Sequence, residues 1–169
     1  MNGEVGVNST PNVGSEFWFK ASFEVSANIT NEVTDIKHNK TELVEGAVSI
    51  LIVEDNPINQ LVAEHTLSAV SEDIQLADDG KQAVEMVKAK KYDFIFMDIQ
   101  MPEMDGYQAT NAIRKNQCGE QHQHTTIIAM TANAMEGDKE KCLAAGMNEY
   151  ISKPISLNDV ESKLRTLFT

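Results

Sequence analysis

An apolar run that ends in an aspartate constrains the fold of this chain more than any other feature. Residues 94–97 read Phe-Ile-Phe-Met, Asp98 follows them directly, and Pro102 lies in the segment that comes next. A run this short, bounded by turn-forming residues, predicts a strand that is buried on both faces. In open α/β sheets, functional residues lie at the carboxyl ends of such strands. The sequence therefore predicts that Asp98 lies at the centre of a functional site.

Short apolar segments and helical patterns alternate on both sides of this run. The predicted strands cover residues 48–53, 74–77, 92–98, 126–130 and 147–152, and the predicted helices begin near Pro57, Lys81, Gly106, Glu136 and Ser156. This alternation predicts a parallel sheet with helices on both faces, which is an α/β fold. The stripe of the first helix that faces the sheet is predicted to consist of Ile58, Leu61, Val62, His65 and Leu67.

The first 27 residues follow a different pattern. Residues 17–25 alternate strictly between apolar and polar side chains, and residues 9–14 are rich in turn formers, so we predict an N-terminal β-hairpin. A lone hairpin is marginally stable in water, so its apolar face must pack against another surface. Residues 28–46 are polar and without apolar periodicity, which predicts a flexible linker before a second domain at residues 47–169.

The charge and the hydropathy of the chain exclude several classes of partner. With 14 basic and 26 acidic residues the net charge is −12, which repels the phosphates of nucleic acids. No apolar run approaches the roughly 18 residues of a membrane span, so we expect no direct membrane contact, although a parent protein could be anchored in the inner membrane. Two cysteines outside any C-x-x-C motif favour the cytoplasm.

The segment that contains the first cysteine is polar. Cys118 with His122 and His124 loosely resembles the spacing of metal ligands, but no fourth ligand is in view between residues 116 and 125. We therefore predict a solvated loop there rather than a zinc site.

Residues with complementary chemistry follow four of the predicted strands. Glu54 and Asp55 follow the first strand, Asp98 ends the third, Thr131 the fourth, and Lys153 follows the fifth. In a doubly wound sheet these ends converge on one crevice. Three carboxylates placed together repel one another unless a cation lies between them, and Mg²⁺ accepts hard oxygen ligands of this kind. A lysine and a hydroxyl beside such a cation suit a phosphoryl group that Asp98 attacks.

Each of these residues alone has a simpler structural explanation. An acidic pair after a strand is usually a solvated turn, and a threonine or aspartate at a strand end often caps the loop. Lysine is usually a surface cation. The coincidence of four strand ends, each with a residue type that one reaction requires, favours the functional interpretation.

Four segments of the second domain closely resemble the response-regulator receiver domain, the phospho-acceptor of two-component signalling. They read Ile-Leu-Ile-Val-Glu-Asp-Asn at 50–56, Met-Asp-Ile-Gln-Met-Pro-Glu-Met-Asp-Gly at 97–106, Ala-Met-Thr-Ala at 129–132 and Tyr-Ile-Ser-Lys-Pro at 150–154. The resemblance spans the whole second domain. It implies a flavodoxin-like (βα)5 fold with a doubly wound parallel sheet, in which the strands of this domain are ordered 2-1-3-4-5.

The resemblance also implies a role for each residue at the strand ends. Asp98 would accept the phosphoryl group from a phosphohistidine, and Asp55 and Asp98 would bind Mg²⁺, or Mn²⁺ as an alternative ion. Glu54, which replaces the commoner aspartate, would bind the ion through water, and the backbone carbonyl of Gln100 would complete the protein ligands. Lys153 would contact a phosphoryl oxygen.

A switch between two conformations is implied by two further positions. Thr131 would turn its hydroxyl toward the bound phosphate, and Tyr150 would then move inward as the coupled aromatic. The Lys153–Pro154 peptide bond is expected to be cis, as in other such domains.

Residues 1–27 resemble the closing strands of the ATP-binding domain of sensor histidine kinases, on the matching stretches 1–9 and 14–19. The asparagine-bearing helix and glycine-rich lid that hold ATP in that family lie outside this sequence, so this fragment should have no kinase activity of its own. An unrelated hairpin is the alternative.

The order of hairpin, linker and receiver implies the receiver end of a hybrid histidine kinase. Such a domain takes phosphate from the phosphohistidine of the kinase dimerisation domain and passes it to a histidine-phosphotransfer domain. A receiver-like docking module that is never phosphorylated is the alternative from another class. The partner would bind either near Tyr150 and the last two helices or around the first helix, and the sequence does not choose between them.

Overall fold

The computed structural model describes residues 3–11, 14–22, 48–132 and 136–167. The chain divides into two compact units, Met1–Lys37 and His38–Thr169. The first unit contains the strands β1 (Gly3–Thr10) and β2 (Gly14–Ala21). The second contains β3 (Ser49–Val53), α1 (Pro57–Leu67), β4 (Asp73–Ala77), α2 (Gly80–Ala89), β5 (Phe94–Asp98), α3 (Gly106–Arg114), β6 (Thr126–Thr131), α4 (Glu136–Ala144), β7 (Glu149–Ser152) and α5 (Leu157–Leu167).

Five parallel strands form the sheet of the second unit in the order β4-β3-β5-β6-β7. Counted within the domain this is 2-1-3-4-5, so the predicted flavodoxin-like fold is confirmed. Every residue of β3 and of β5 is buried, because helices cover both faces of the sheet. One face packs against α1 and α5 and the other against α2, α3 and α4. The centre of the sheet is β5, which ends at Asp98.

The prediction of which α1 residues face the sheet is wrong except at Leu67. Ile58, Leu61 and Val62 are 72%, 66% and 42% exposed, and His65 is exposed as well. Ala63 and Leu67, four residues apart on one side of the helix, face the sheet instead. In this orientation the polar residues of the helix also make contacts with the strand end. Two consecutive amide side chains of α1 donate hydrogen bonds to the residue after β3, and a hydropathy pattern does not contain that information.

The first unit is an antiparallel hairpin, as predicted. Val5 pairs with Phe19 and Val7 with Phe17, so the four side chains share one apolar face. Phe17 and Phe19 are 81% and 82% exposed. The strand β2 ends at Ala21. Residues 23–25 of the predicted strand and the predicted linker at residues 28–46 lie outside the described residues.

The segment between α3 and β6 is more buried than predicted. Cys118 and His122 are only 5% and 3% exposed to solvent. His122 lies at the end of a short 3₁₀ turn over Glu120–His122. The prediction of a solvated loop is therefore wrong for these two residues. A polar composition did not reveal that the loop folds back on the domain.

The helices of the described ranges are short, with 9 to 11 residues each. A helix needs about 20 apolar residues to cross a bilayer. Within residues 3–11, 14–22, 48–132 and 136–167, no helix has the length and apolar character of a membrane span.

Candidate functional site

The carboxyl ends of the central strands surround a cavity of about 800 Å³. Six of the predicted site residues line it, which are Glu54, Asp55, Asp98, Gln100, Thr131 and Lys153. Parallel strands bring them together because each strand ends at the same edge of the sheet. Tyr150, the seventh, lies on the edge strand β7 and is not among the residues that line the cavity.

The ammonium group of Lys153 connects the two buried carboxylates of the cavity. Its Nζ lies 2.5 Å from Glu54 Oε2 and 2.7 Å from Asp98 Oδ2. The side chains of Glu54 and Asp98 are 2% and 7% exposed, so both ion pairs are shielded from water. The Lys153 N–H donates to the carbonyl of Thr131 at 2.8 Å, and the Lys153–Pro154 bond is cis, as expected. One lysine side chain therefore connects the ends of three strands.

Burial raises the pKa of the Asp98 carboxyl above its ordinary value, and the nearby charge of Glu54 acts in the same direction. The ion pair with Lys153 and the backbone N–H of Gln100, which donates to Asp98 Oδ1 at 3.3 Å, oppose this shift. The positive charge of Lys153 thus favours the ionised form of Asp98, whereas burial and the charge of Glu54 favour the protonated form.

The cavity also has the ligand set of a hard divalent cation. Oxygens of Glu54, Asp55 and Asp98 lie within 4.8 Å of one another, and one lysine cannot neutralise three carboxylates. Mg²⁺ binds through one or two carboxylates and retains several waters. Asp55 is exposed while the other two are buried, so the cavity offers both protein oxygens and access for water. These residues fit Mg²⁺.

The loop after Asp98 is held against the start of α3. A Cβ atom on Gly106 would lie 2.1 Å from the carbonyl oxygen of Asp98, so only glycine permits this approach. The Gly106 N–H donates to the carbonyl of Ile99 at 3.1 Å, and Asp105 and Gln108 form a capping box at the helix start. The position of the Asp98 backbone therefore depends on the first turn of α3.

Two residues near the cavity were not predicted from the sequence. Asn59 Nδ2 donates to Glu54 Oε1 at 2.8 Å, and Gln60 Nε2 donates to the Glu54 carbonyl at 2.7 Å. The signal available was a pair of amide side chains in the first turns of a helix that directly follows an acidic pair.

The predicted switch residues lie on neighbouring strands. Thr131 is buried at the end of β6, and Tyr150 is half-buried on β7, where it pairs with Ala129. The Nζ atoms of Lys139 on α4 and Lys163 on α5 lie 5.6 Å and 4.8 Å from the centre of the Tyr150 ring. Cation–π contacts from two helices thus hold the ring at the edge of the sheet.

Comparison with known proteins points to one family. A family model described as "Response regulator receiver domain" matches residues 50–165. The receiver domain of the sensor histidine kinase PA1611 from Pseudomonas aeruginosa, solved with a magnesium ion in its active-site cleft, is 43% identical and has a TM-score of 0.64. That match covers 72% of this chain and 97% of the other.

Two further relatives extend the comparison. The structure of the Saccharomyces cerevisiae phosphotransfer protein Ypd1 with the receiver domain of Ssk1 matches at 34% identity and a TM-score of 0.62, over 72% of this chain and 88% of that one. Hybrid signal transduction histidine kinase K of Dictyostelium discoideum is 34% identical over 97% of this chain. The chain spans only 6% to 14% of the length of the curated relatives compared first.

Proposed function

The chain belongs to the family of response regulator receiver domains, and we propose that it is the phospho-acceptor module of a hybrid histidine kinase. The observation that carries this proposal is the Lys153 ammonium group, which lies between the buried carboxylates of Glu54 and Asp98 in a cavity that Thr131 also lines. A metal-binding structural site would not need a lysine there. A phosphoryl-accepting site does, because charge develops on the phosphoryl oxygens during transfer.

The proposed reaction transfers a phosphoryl group from a histidine of a partner domain to Asp98. An oxygen of the Asp98 carboxylate attacks the phosphorus, the P–N bond breaks as the new P–O bond forms, and the imidazole nitrogen keeps the electron pair of the broken bond. Lys153 neutralises a phosphoryl oxygen, and the hydroxyl of Thr131 donates a hydrogen bond to another. Movement of Tyr150 from the surface into the space beside Thr131 would then report the phosphorylated state.

A metal ion held at this site would supply positive charge to the phosphoryl oxygens. We propose that Asp55 and Asp98 bind Mg²⁺ directly, with the Gln100 carbonyl as a third ligand and Glu54 acting through water. Mn²⁺ has the same preference for oxygen ligands and is the alternative ion. The magnesium ion in the related PA1611 receiver supports this assignment.

The proposal is tested by phosphorylation with a small donor such as acetyl phosphate, with and without Mg²⁺. We expect the parent chain to take up one phosphoryl group when Mg²⁺ is present and none when it is chelated. We expect Asp98→Asn to take up none under either condition. Intact-protein mass spectrometry measures the gain directly. Equal labelling of the parent and of Asp98→Asn would overturn the proposal. If the parent is unlabelled both with and without Mg²⁺, the result would favour the docking-module alternative.

The free energy of unfolding of Asp98→Asn shows whether this control variant is as stable as the parent. Because the pKa of Asp98 is raised on folding, its protonated form is favoured in the folded state, and this contribution to stability is lost as the pH rises through that pKa. The neutral side chain of Asp98→Asn avoids the loss. In the absence of metal at pH 7, we expect the free energy of unfolding of Asp98→Asn to be no lower than that of the parent.

Partner domains must reach Asp98 through the mouth of the cavity. Asn56, which caps α1, and Asn59 of α1 line this cavity. Ile58, Leu61 and Val62 of the same helix are exposed apolar residues. A patch of this kind beside a reactive site is typical of an interaction surface. We therefore assign docking of the kinase dimerisation domain, and of a histidine-phosphotransfer domain, to α1 rather than to the face near Tyr150. The structure of a related receiver with a phosphotransfer protein supports the class of partner.

The hairpin is proposed to be the end of a histidine-kinase ATP-binding domain. The match to the Dictyostelium hybrid kinase covers 97% of this chain, so it includes the hairpin as well as the receiver. The exposed face of Val5, Val7, Phe17 and Phe19 supports a missing packing partner. The parent sequence upstream of Met1 tests this, because it should encode an ATP lid and a phosphorylatable histidine; a different fold there would contradict it. The receiver would then lie in the cytoplasm beside the kinase.

A further inference from the structure

We propose that Asn59 is a positioning residue, which holds the Glu54 carboxylate in the orientation that binds the metal ion through water. The inference rests on the proposed function, since it concerns the same cation site. Asn59 Nδ2 donates to Glu54 Oε1 at 2.8 Å, while Glu54 Oε2 pairs with Lys153 Nζ at 2.5 Å. Each oxygen of this buried carboxylate therefore has its own donor, one from α1 and one from the end of β7.

Glutamate needs such a contact more than aspartate would at the same position. Its extra methylene group adds one rotatable bond between the backbone and the carboxylate, and fixing that bond costs conformational entropy. Glu54 is 1% exposed, so a carboxylate that turned away from its donors would be buried without hydrogen bonds. The amide of Asn59 fixes the extra bond from the side of the helix. Ligands and their partners held in this way bind metal more tightly.

The role of Asn59 is separable from the role of its neighbour. Gln60 Nε2 donates to the backbone carbonyl of Glu54 and to Asp78 Oδ1 at 2.8 Å, so it fixes the main chain and the adjacent turn. Asn59 alone of the two contacts the carboxylate. Its side chain is exposed apart from this contact, and the cap of α1 comes from Asn56. Replacement of Asn59 therefore removes one hydrogen bond to Glu54 and leaves the packing of the helix in place.

A double-mutant cycle on Mg²⁺ affinity tests the proposal. Titration calorimetry with MgCl₂ alone would compare the parent, Asn59→Ala, Glu54→Asp and the double variant. We expect Asn59→Ala to weaken Mg²⁺ binding about tenfold, the lower end of what removal of such a contact costs. Glu54→Asp withdraws the carboxylate from the reach of Asn59. In that background we expect Asn59→Ala to change the affinity by less than about twofold, because the two residues act through one contact.

Asn111→Ala is the matched control, since Asn111 is also an exposed helical asparagine that donates through Nδ2, here to the carbonyl of Tyr107. We expect this variant to bind Mg²⁺ as the parent does. An equal loss from Asn59→Ala in both backgrounds, or unchanged affinity in the parent background, would overturn the role of Asn59 while the proposed function stands. Failure of the parent chain to bind Mg²⁺ would instead count against the proposed function. Thermal unfolding without metal, measured for every variant, shows that each compared protein is folded.

Discussion

Replacement of Lys153 by methionine is expected to slow phosphoryl uptake from a small donor by about a hundredfold or more. Removal of one group that stabilises developing charge in a catalytic site costs about 10²–10³ in rate. The same change leaves Glu54 and Asp98 buried without their shared cation. A buried charge that loses its partner lowers the free energy of unfolding by about 3–5 kcal/mol. Methionine is also unbranched and is only one atom shorter than lysine, so loss of packing contributes little.

Magnesium separates these two effects of Lys153→Met. The metal ion supplies positive charge near the same carboxylates, so saturating Mg²⁺ should restore much of the lost stability. It should not restore the rate, because the contact of Lys153 with a phosphoryl oxygen is still missing. Chemical denaturation measured with and without Mg²⁺, beside the rate of labelling, gives both quantities.

Lys81→Met is the matched control for this experiment. Lys81 Nζ lies 2.7 Å from Glu103 Oε2, the same distance as in the pair of Lys153 with Asp98. The side chains of Lys81 and Glu103 are, however, 59% and 66% exposed. A solvent-exposed pair of this kind contributes little to stability, because water and salt screen the two charges. Equal losses of stability in Lys81→Met and Lys153→Met would contradict the view that the burial of Glu54 and Asp98 gives Lys153 its effect.

The convergence of the site could be predicted because it follows from the topology of the fold. Once the β-α alternation indicated a parallel sheet, the residues after each strand had to meet at one edge. The acidic pair at Glu54, the nucleophile candidate Asp98 and Lys153 are separated by up to 99 positions in the sequence, yet the structure places one ammonium group within 2.7 Å of two carboxylates. Strand order and chemical type were sufficient to predict this proximity.

The rotation of α1 could not be predicted in the same way. Hydropathy placed Ile58, Leu61 and Val62 against the sheet. In the structure those residues are exposed, and Asn59 and Gln60 donate hydrogen bonds to Glu54. Such bonds depend on distances between elements that a periodic pattern does not contain. The need for glycine at position 106 could not be predicted either. The backbone oxygen that Gly106 approaches belongs to Asp98, eight residues earlier. Local sequence predicted the elements, and their mutual contacts decided the details.

The outward face of α1 carries the second large expected effect. In the double variant Ile58→Ser with Leu61→Ser, we expect phosphoryl transfer from a phosphohistidine domain to slow about a hundredfold. Burial of each side chain by a partner contributes about 1.5–3 kcal/mol, and every 1.4 kcal/mol changes an affinity tenfold. Transfer from acetyl phosphate should stay within about twofold of the parent, because neither residue lines the cavity. Both residues are mostly exposed, so the fold should tolerate the change.

Leu143→Ser distinguishes α1 from the alternative docking face. Leu143 is a 44% exposed leucine on α4, which covers the opposite face of the sheet and carries a cation against Tyr150. Initial rates of transfer from the phosphorylated dimerisation domain, measured at partner concentrations below saturation, compare the two surfaces under one condition. If partners dock on α1, Leu143→Ser transfers at the rate of the parent while the α1 double variant is slow. The reverse order of rates would place the partner on the face near Tyr150, and the exposed apolar residues of α1 would then need another explanation.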